Sequence, residues 1–113
     1  MLVVEDEPLV ALDLELGLGD AGANVCGPFA KCEPALAALA DENPVDAAVL
    51  DINLGNETCE EIATRLKDRR IPYILHTGDW HAAGEVVDRL DAPIVAKPAP
   101  IKRIIDALLE LRR

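Results

Sequence analysis

Short unbroken apolar runs alternate along this chain with longer stretches in which apolar residues recur every three or four positions. Met1 to Val4 is the first run, and it stops abruptly at Glu5, Asp6, Glu7 and Pro8. A run of that length bounded by charge predicts a short buried strand, and Pro8 suits the first turn of a helix, where its missing N–H is not needed. The helix is expected from Pro8 to about Ala21, closed by Gly22. Asn24 to Phe29 predicts a second strand, weakened at its end by Gly27 and Pro28, and an Ala-rich helix follows from about Glu33 to Asp41. Asn43 and Pro44 break the chain before a third strand, Val45 to Leu50, which ends at Asp51. Glu57 to Arg69 holds a helix with Ile62 and Leu66 on one face, and Ile71 to His76 is a fourth strand. A short helix over about Ala82 to Leu90, a strand from Pro93 to Ala96 and an amphipathic helix from Pro100 to Leu111 complete the pattern, the last with Ile101, Ile104, Ile105 and Leu108 inward. Strand and helix alternate with short connections, which predicts an α/β fold: a five-stranded parallel sheet with its five helices on both faces.

The first helix carries two apolar stripes. Val10, Ala11, Leu14, Leu18 and Ala21 form a face for the core, while Leu9, Leu12 and Leu16 project to the opposite side. A row of leucines facing water predicts an interface with a partner.

Composition narrows the class. A chain of 113 residues suits one domain, 1–113, and with 50% hydrophobic residues but only one Trp, one Tyr and one Phe its core must be aliphatic. A formal charge of −10 argues against nucleic-acid binding by this chain alone. Cys26, Cys32 and Cys59 form no CxxC pair, which fits free thiols in a reducing compartment. No stretch reaches membrane-spanning length and no signal peptide is evident, so a cytoplasmic protein is expected. Met1 leaves almost no residues ahead of a strand that should be central, which leaves room for a short preceding stretch; the chain stops directly after the last helix, so a domain working without an output domain is expected, with an effector to follow if the chain is a fragment.

In a parallel sheet the strand C-termini open on one edge, where ligands bind. Glu5 and Asp6 follow the first strand, Asp51 ends the third, Thr77 follows the fourth and Lys97 follows the fifth. Three carboxylates gathered there repel one another unless a cation lies among them, and hard oxygen donors suit Mg2+. The same set suits phosphoryl transfer, with Asp51 as acceptor, Thr77 and Lys97 on phosphoryl oxygens, and Gly78 leaving room for the group beside its backbone amide. Taken singly, Thr77 reads equally well as a strand-end residue and Lys97 as a surface lysine; their joint placement favours the site.

Through VVEDE at 3–7, VLDINLG at 49–55, HTG at 76–78 and AKP at 96–98, the chain resembles the CheY-like receiver domains of response regulators along essentially its whole length. The resemblance implies a flavodoxin-like sheet of order 2-1-3-4-5, and phosphorylation of Asp51 by a sensor histidine kinase or histidine phosphotransfer protein. It implies Mg2+ held through Asp6, Asp51 and the carbonyl of Asn53, with Glu5 acting largely through water, and a cis peptide before Pro98 that aims Lys97 inward. It also implies that the Leu9, Leu12 and Leu16 stripe meets a kinase helix pair or a second receiver in a homodimer. Asn53 and Asp79 lie where they could tune hydrolysis of the phosphoaspartate.

Two departures qualify the resemblance. Most receivers have Tyr or Phe three residues before the lysine; here that position is Ile94, and an aromatic, Trp80, lies three residues after Thr77 instead. The stretch Leu75 to Trp80 resembles the Phe-Ala-Thr-Gly-x-Tyr motif of a subgroup of often single-domain regulators in alphaproteobacterial stress pathways, which makes Trp80 a candidate switch residue. His76 and His81 lack the spacing of a metal pair. The rival readings are a phosphorylation-independent protein-binding module and a Mg2+-dependent aspartyl phosphatase. The phosphatase would need a second Asp where Asn53 stands, so no enzyme beyond self-phosphorylation and self-dephosphorylation is expected.

Overall fold

The computed structural model describes residues 1–40, 45–51, 53–54, 57–58, 60–78 and 92–111. Its elements run β1 (Leu2–Val4), α1 (Pro8–Asp20), β2 (Cys26–Phe29), α2 (Cys32–Ala40), β3 (Ala48–Leu50), β4 (Asn53–Leu54), β5 (Glu57–Thr58), α3 (Glu60–Asp68), β6 (Tyr73–Thr77), β7 (Ile94–Ala96) and α4 (Ile101–Leu111). Five strands form a parallel sheet of order β2-β1-β3-β6-β7, the arrangement expected for a flavodoxin-like receiver. Four helices lie among the described residues; the helix expected over 82–90 lies outside them.

Strand alternation divides the core into two layers, because successive side chains point to opposite faces. Leu2, Val4, Ala48, Leu50, Tyr73 and Leu75 pack against Ala35 and Leu39 of α2 and Ile62 and Leu66 of α3. Val3, Val49, Ile74 and Val95 pack against Leu14 and Leu18 of α1 and Ile104 and Leu108 of α4. Each Val, Leu or Ile among them contributes about 1.5–3 kcal/mol on burial. The two layers therefore hold strands of three to five residues that backbone pairing alone would not.

The helix phase of α1 is as expected: Leu14 and Leu18 are buried, while Leu9, Leu12 and Leu16 are 78%, 50% and 60% exposed. Ala21 departs from that expectation. The helix ends at Asp20, and Ala21 is its exposed C-cap rather than part of the core face. Strand boundaries also contract, since β3 begins at Ala48 and β2 at Cys26, while β6 extends to include Thr77. The antiparallel pair of β4 and β5 was not anticipated, two residues being too few for a periodic signal. In β2, Gly27 has φ +108° and a side chain there would strike the carbonyl of Val3 at 2.8 Å, so only glycine lets this edge strand pass so close to β1.

Gly17 marks the crossing of α1 and α4, where a Cβ would overlap the side chain of Ile101, whereas a Cβ on Gly19 meets nothing within 4 Å. Gly19→Ala is expected to stabilise the protein by about 0.5 kcal/mol through helix propensity. Gly17→Ala is expected to destabilise it, because overpacking of about 1–3 kcal/mol exceeds that gain. Urea-unfolding midpoints of the two variants should move in opposite directions.

Candidate functional site

The hydrogen-bond ladder runs one residue beyond the strands and fixes the backbone of the residues that follow them. Glu5 N–H donates to the Phe29 carbonyl at 2.8 Å, Asp51 N–H to the Val4 carbonyl at 2.8 Å, and Lys97 N–H to the Thr77 carbonyl at 3.1 Å. These bonds bring the ends of β1, β3, β6 and β7 to a common edge. The peptide between Lys97 and Pro98 is cis.

Carboxylate oxygens of Glu5, Asp6 and Asp51 there lie within 4.8 Å of one another. Glu5 and Asp51 are buried and Asp6 is exposed, so the cluster has one solvent-facing member. Lys97 Nζ lies 2.8 Å from Asp51 Oδ2 in a hydrogen-bonded ion pair and 2.7 Å from Glu5 Oε1 in an ion pair that is close but less well aligned. Glu5 Oε2 accepts the N–H of Glu7 at 3.2 Å, across the turn into α1. Glu5 is thus held directly by both Lys97 and the Glu7 amide.

The charges are unequally matched, and protonation reflects it. Burial pushes the Glu5 carboxyl up to about 7; Lys97 opposes this, and the neighbouring Asp51 carboxylate adds to it. Burial pulls Lys97 down, but hydrogen bonds and charge from Asp51 and Glu5 outweigh it and leave its pKa raised. Among the described residues, one ammonium against three carboxylates leaves an excess that a single divalent cation would neutralise. Opposed ligands on Mg2+, at about 2.1 Å each, stand about 4.2 Å apart. The observed cluster therefore needs only small side-chain movements to hold such an ion.

Thr77, the last residue of β6, is buried at the same edge. Gly78 lies beside Lys97, for a Cβ on it would meet the Lys97 stem at 3.8 Å. The backbone of Asn53 opens β4, but its side chain lies outside the described residues, as do Asp79, Trp80 and His81. Ile94 is partly buried against the apolar layer beneath α2 and α3. The residue that sequence reasoning passed over is His76. Considered from the sequence only as a metal ligand, it is 3% exposed at this edge, and among the described residues neither ring nitrogen has a hydrogen-bond partner.

No protein-family model matches the sequence, and neither does any curated protein. Solved structures do. The chain is similar to SdrG from Sphingomonas melonis Fr1, with TM-score 0.83 and 35% identity over 99% of this chain and 94% of that one. A response regulator receiver protein from Sinorhizobium medicae WSM419 gives TM-score 0.81 and 28% identity, covering 97% of this chain and 90% of its own. A response regulator protein from Burkholderia pseudomallei, solved with a phosphorylated aspartic acid, calcium ion and citrate, gives TM-score 0.77 and 26% identity over 95% of this chain and 64% of its own. With this sheet order and these likenesses along nearly its whole length, the chain belongs to the receiver-domain family of response regulators of two-component signalling.

Proposed function

We propose that Asp51 is a phosphoacceptor that takes its phosphoryl group from a phosphohistidine of a sensor histidine kinase or histidine phosphotransfer protein, with Mg2+ as the required ion. The observation that carries this reading is the convergence of Glu5, Asp6 and Asp51 around the reach of Lys97, with its 2.7 and 2.8 Å contacts, at the edge where parallel sheets bind ligands. A carboxylate oxygen of Asp51 forms the new bond to phosphorus as the bond to the donor nitrogen breaks and the imidazole leaves. Lys97 and the Thr77 hydroxyl neutralise charge on the phosphoryl oxygens, and the Gly78 amide is placed to help. Asp6, Asp51 and the Asn53 carbonyl would hold Mg2+, with Glu5 behind them; the ion supplies Lewis-acid charge neutralisation. The Burkholderia pseudomallei relative, with its phosphorylated aspartic acid and calcium ion, supports the same pairing of modification and divalent cation.

Signalling then proceeds through protein contacts rather than catalysis on other molecules. The Leu9, Leu12 and Leu16 stripe is the docking face in this reading. It is flanked by exposed Asp13, Glu15 and Asp20, and α1 has no basic residue, so it suits a partner helix with basic borders better than a second copy of this acidic chain. Trp80 as a switch, and membership of the subgroup whose motif includes it, belong to the same proposal.

Incubation with a small-molecule phosphoryl donor and Mg2+ should add one phosphate to the intact mass of the wild type. Asp51→Asn should show none, and EDTA should abolish the adduct; equal adducts in both proteins would overturn the assignment. Leu12→Glu should accept phosphate from the small donor normally but from its kinase at least about tenfold more slowly, the cost of losing one interface anchor.

The raised Glu5 pKa fixes a pH dependence. Between its ordinary value of 4.5 and about 7 the folded carboxyl keeps a proton that the unfolded chain has released. Its contribution to stability is thus complete below pH 4.5 and lost as pH rises through 7. Urea unfolding in EDTA should show this decline, Glu5→Gln should remove it, and Mg2+ should flatten it by favouring the ionised form.

A further inference from the structure

Val3, Val49 and Ile74 stand in register across β1, β3 and β6, and all three bury toward α1 and α4. Two residues further along each strand, the alternation returns to the same face with Glu5, Asp51 and His76. His76 also pairs in register with Val95 of β7, which belongs to that same layer. The imidazole thus occupies the place beside Asp51, one strand spacing of about 4.8 Å away, where the preceding row has only apolar side chains.

That imidazole is 3% exposed, and among the described residues neither of its nitrogens has a hydrogen-bond partner. A neutral imidazole always carries one N–H, and a buried donor left unpaired is a standing cost that an apolar ring would avoid. Three of the four carboxylate oxygens of Asp51 and Glu5 are engaged elsewhere: Asp51 Oδ2 and Glu5 Oε1 with Lys97, and Glu5 Oε2 with the Glu7 amide. Burial first, and then the Lys97 ammonium, lower the His76 pKa and keep the ring uncharged, against weaker pulls from Asp51 and Asp13. The ring is therefore a neutral donor in search of an acceptor, one position from the proposed phosphoacceptor.

We propose that His76 is a ligand of the phosphorylated state: its buried N–H, unpaired in the resting protein, donates to an oxygen of the phosphorylated Asp51 side chain. This rests on the assignment of Asp51 made above. Modification there multiplies the acceptor oxygens beside this row while the single Lys97 ammonium is already shared, and His76 supplies an uncommitted donor without adding charge.

The test uses beryllofluoride with Mg2+ as a non-covalent phosphoryl mimic. Nitrogen-15 NMR of the wild-type histidines should show the His76 N–H become slowly exchanging and shift on saturation, with His76→Phe assigning the signal. His76→Phe should bind the mimic about tenfold more weakly, the loss of one hydrogen bond to a charged group, although its metal-free fold is more stable than the wild type. His76→Asn, which restores an N–H, should recover part of the affinity. A purely structural histidine would not pair higher stability with weaker binding. Unchanged His76 resonances at full occupancy, or wild-type affinity in His76→Phe, would overturn the inference and leave Asp51 standing. Failure of the wild type to bind the mimic at all would overturn both.

Discussion

Two carboxylates pressed into the end of an aliphatic sheet, sharing one ammonium, are the constraint on which the rest of this structure turns. Glu5 and Asp51 come from adjacent strands, and their approach follows from the pairing of β1 with β3. Lys97 comes from β7, with β6 between, and it can reach both only because the strands end at the same edge. Burying such charges costs several kcal/mol per ion, and one cation shared between two anions does not fully offset it. The raised Glu5 pKa records the shortfall. A site with that imbalance is electrostatically suited to a divalent cation, which would supply the missing positive charge.

Much of this was legible in the sequence because it rests on strict periodicities. Apolar runs of three or four residues stopped by charge located the central strands, and their alternation with helical patterns required a parallel sheet with one functional edge. The outward leucines of α1 were legible for the same reason, since the 3.6-residue period fixes which side chains share a face. What escaped was decided by tertiary pairing. Strand limits such as Ala48 rather than Val45 depend on what a neighbouring strand offers, and β4 and β5 are too short to have a pattern. Ala21 was misplaced because a helix's last turn can end a residue early without changing its apolar phase.

His76 escaped for a different reason. A lone histidine in a strand has no period to betray it, and its significance lies in partners it does not have. Register supplies what sequence spacing could not: Asp51 and His76 are 25 positions apart in the chain yet one strand apart in the fold. The functional edge is thus the next step of the apolar lattice itself, with Glu5, Asp51 and His76 replacing the Val3, Val49 and Ile74 of the preceding row.

Ile94 bears on how a change at Asp51 could leave the site. Its side chain packs against the layer formed by α2 and α3, and a branched aliphatic group held there cannot swing outward without opening a cavity beneath it. The last strand therefore offers no rotating ring to carry a signal. The front of α1 begins two residues after Asp6 and is tied back to the site by the bond between the Glu7 amide and Glu5. A displacement of the Glu5 carboxylate would act on that turn, and the exposed leucines start at Leu9, immediately beyond it. Under the proposed reading, charge at the sheet edge and the leucine face are linked through this short piece of backbone.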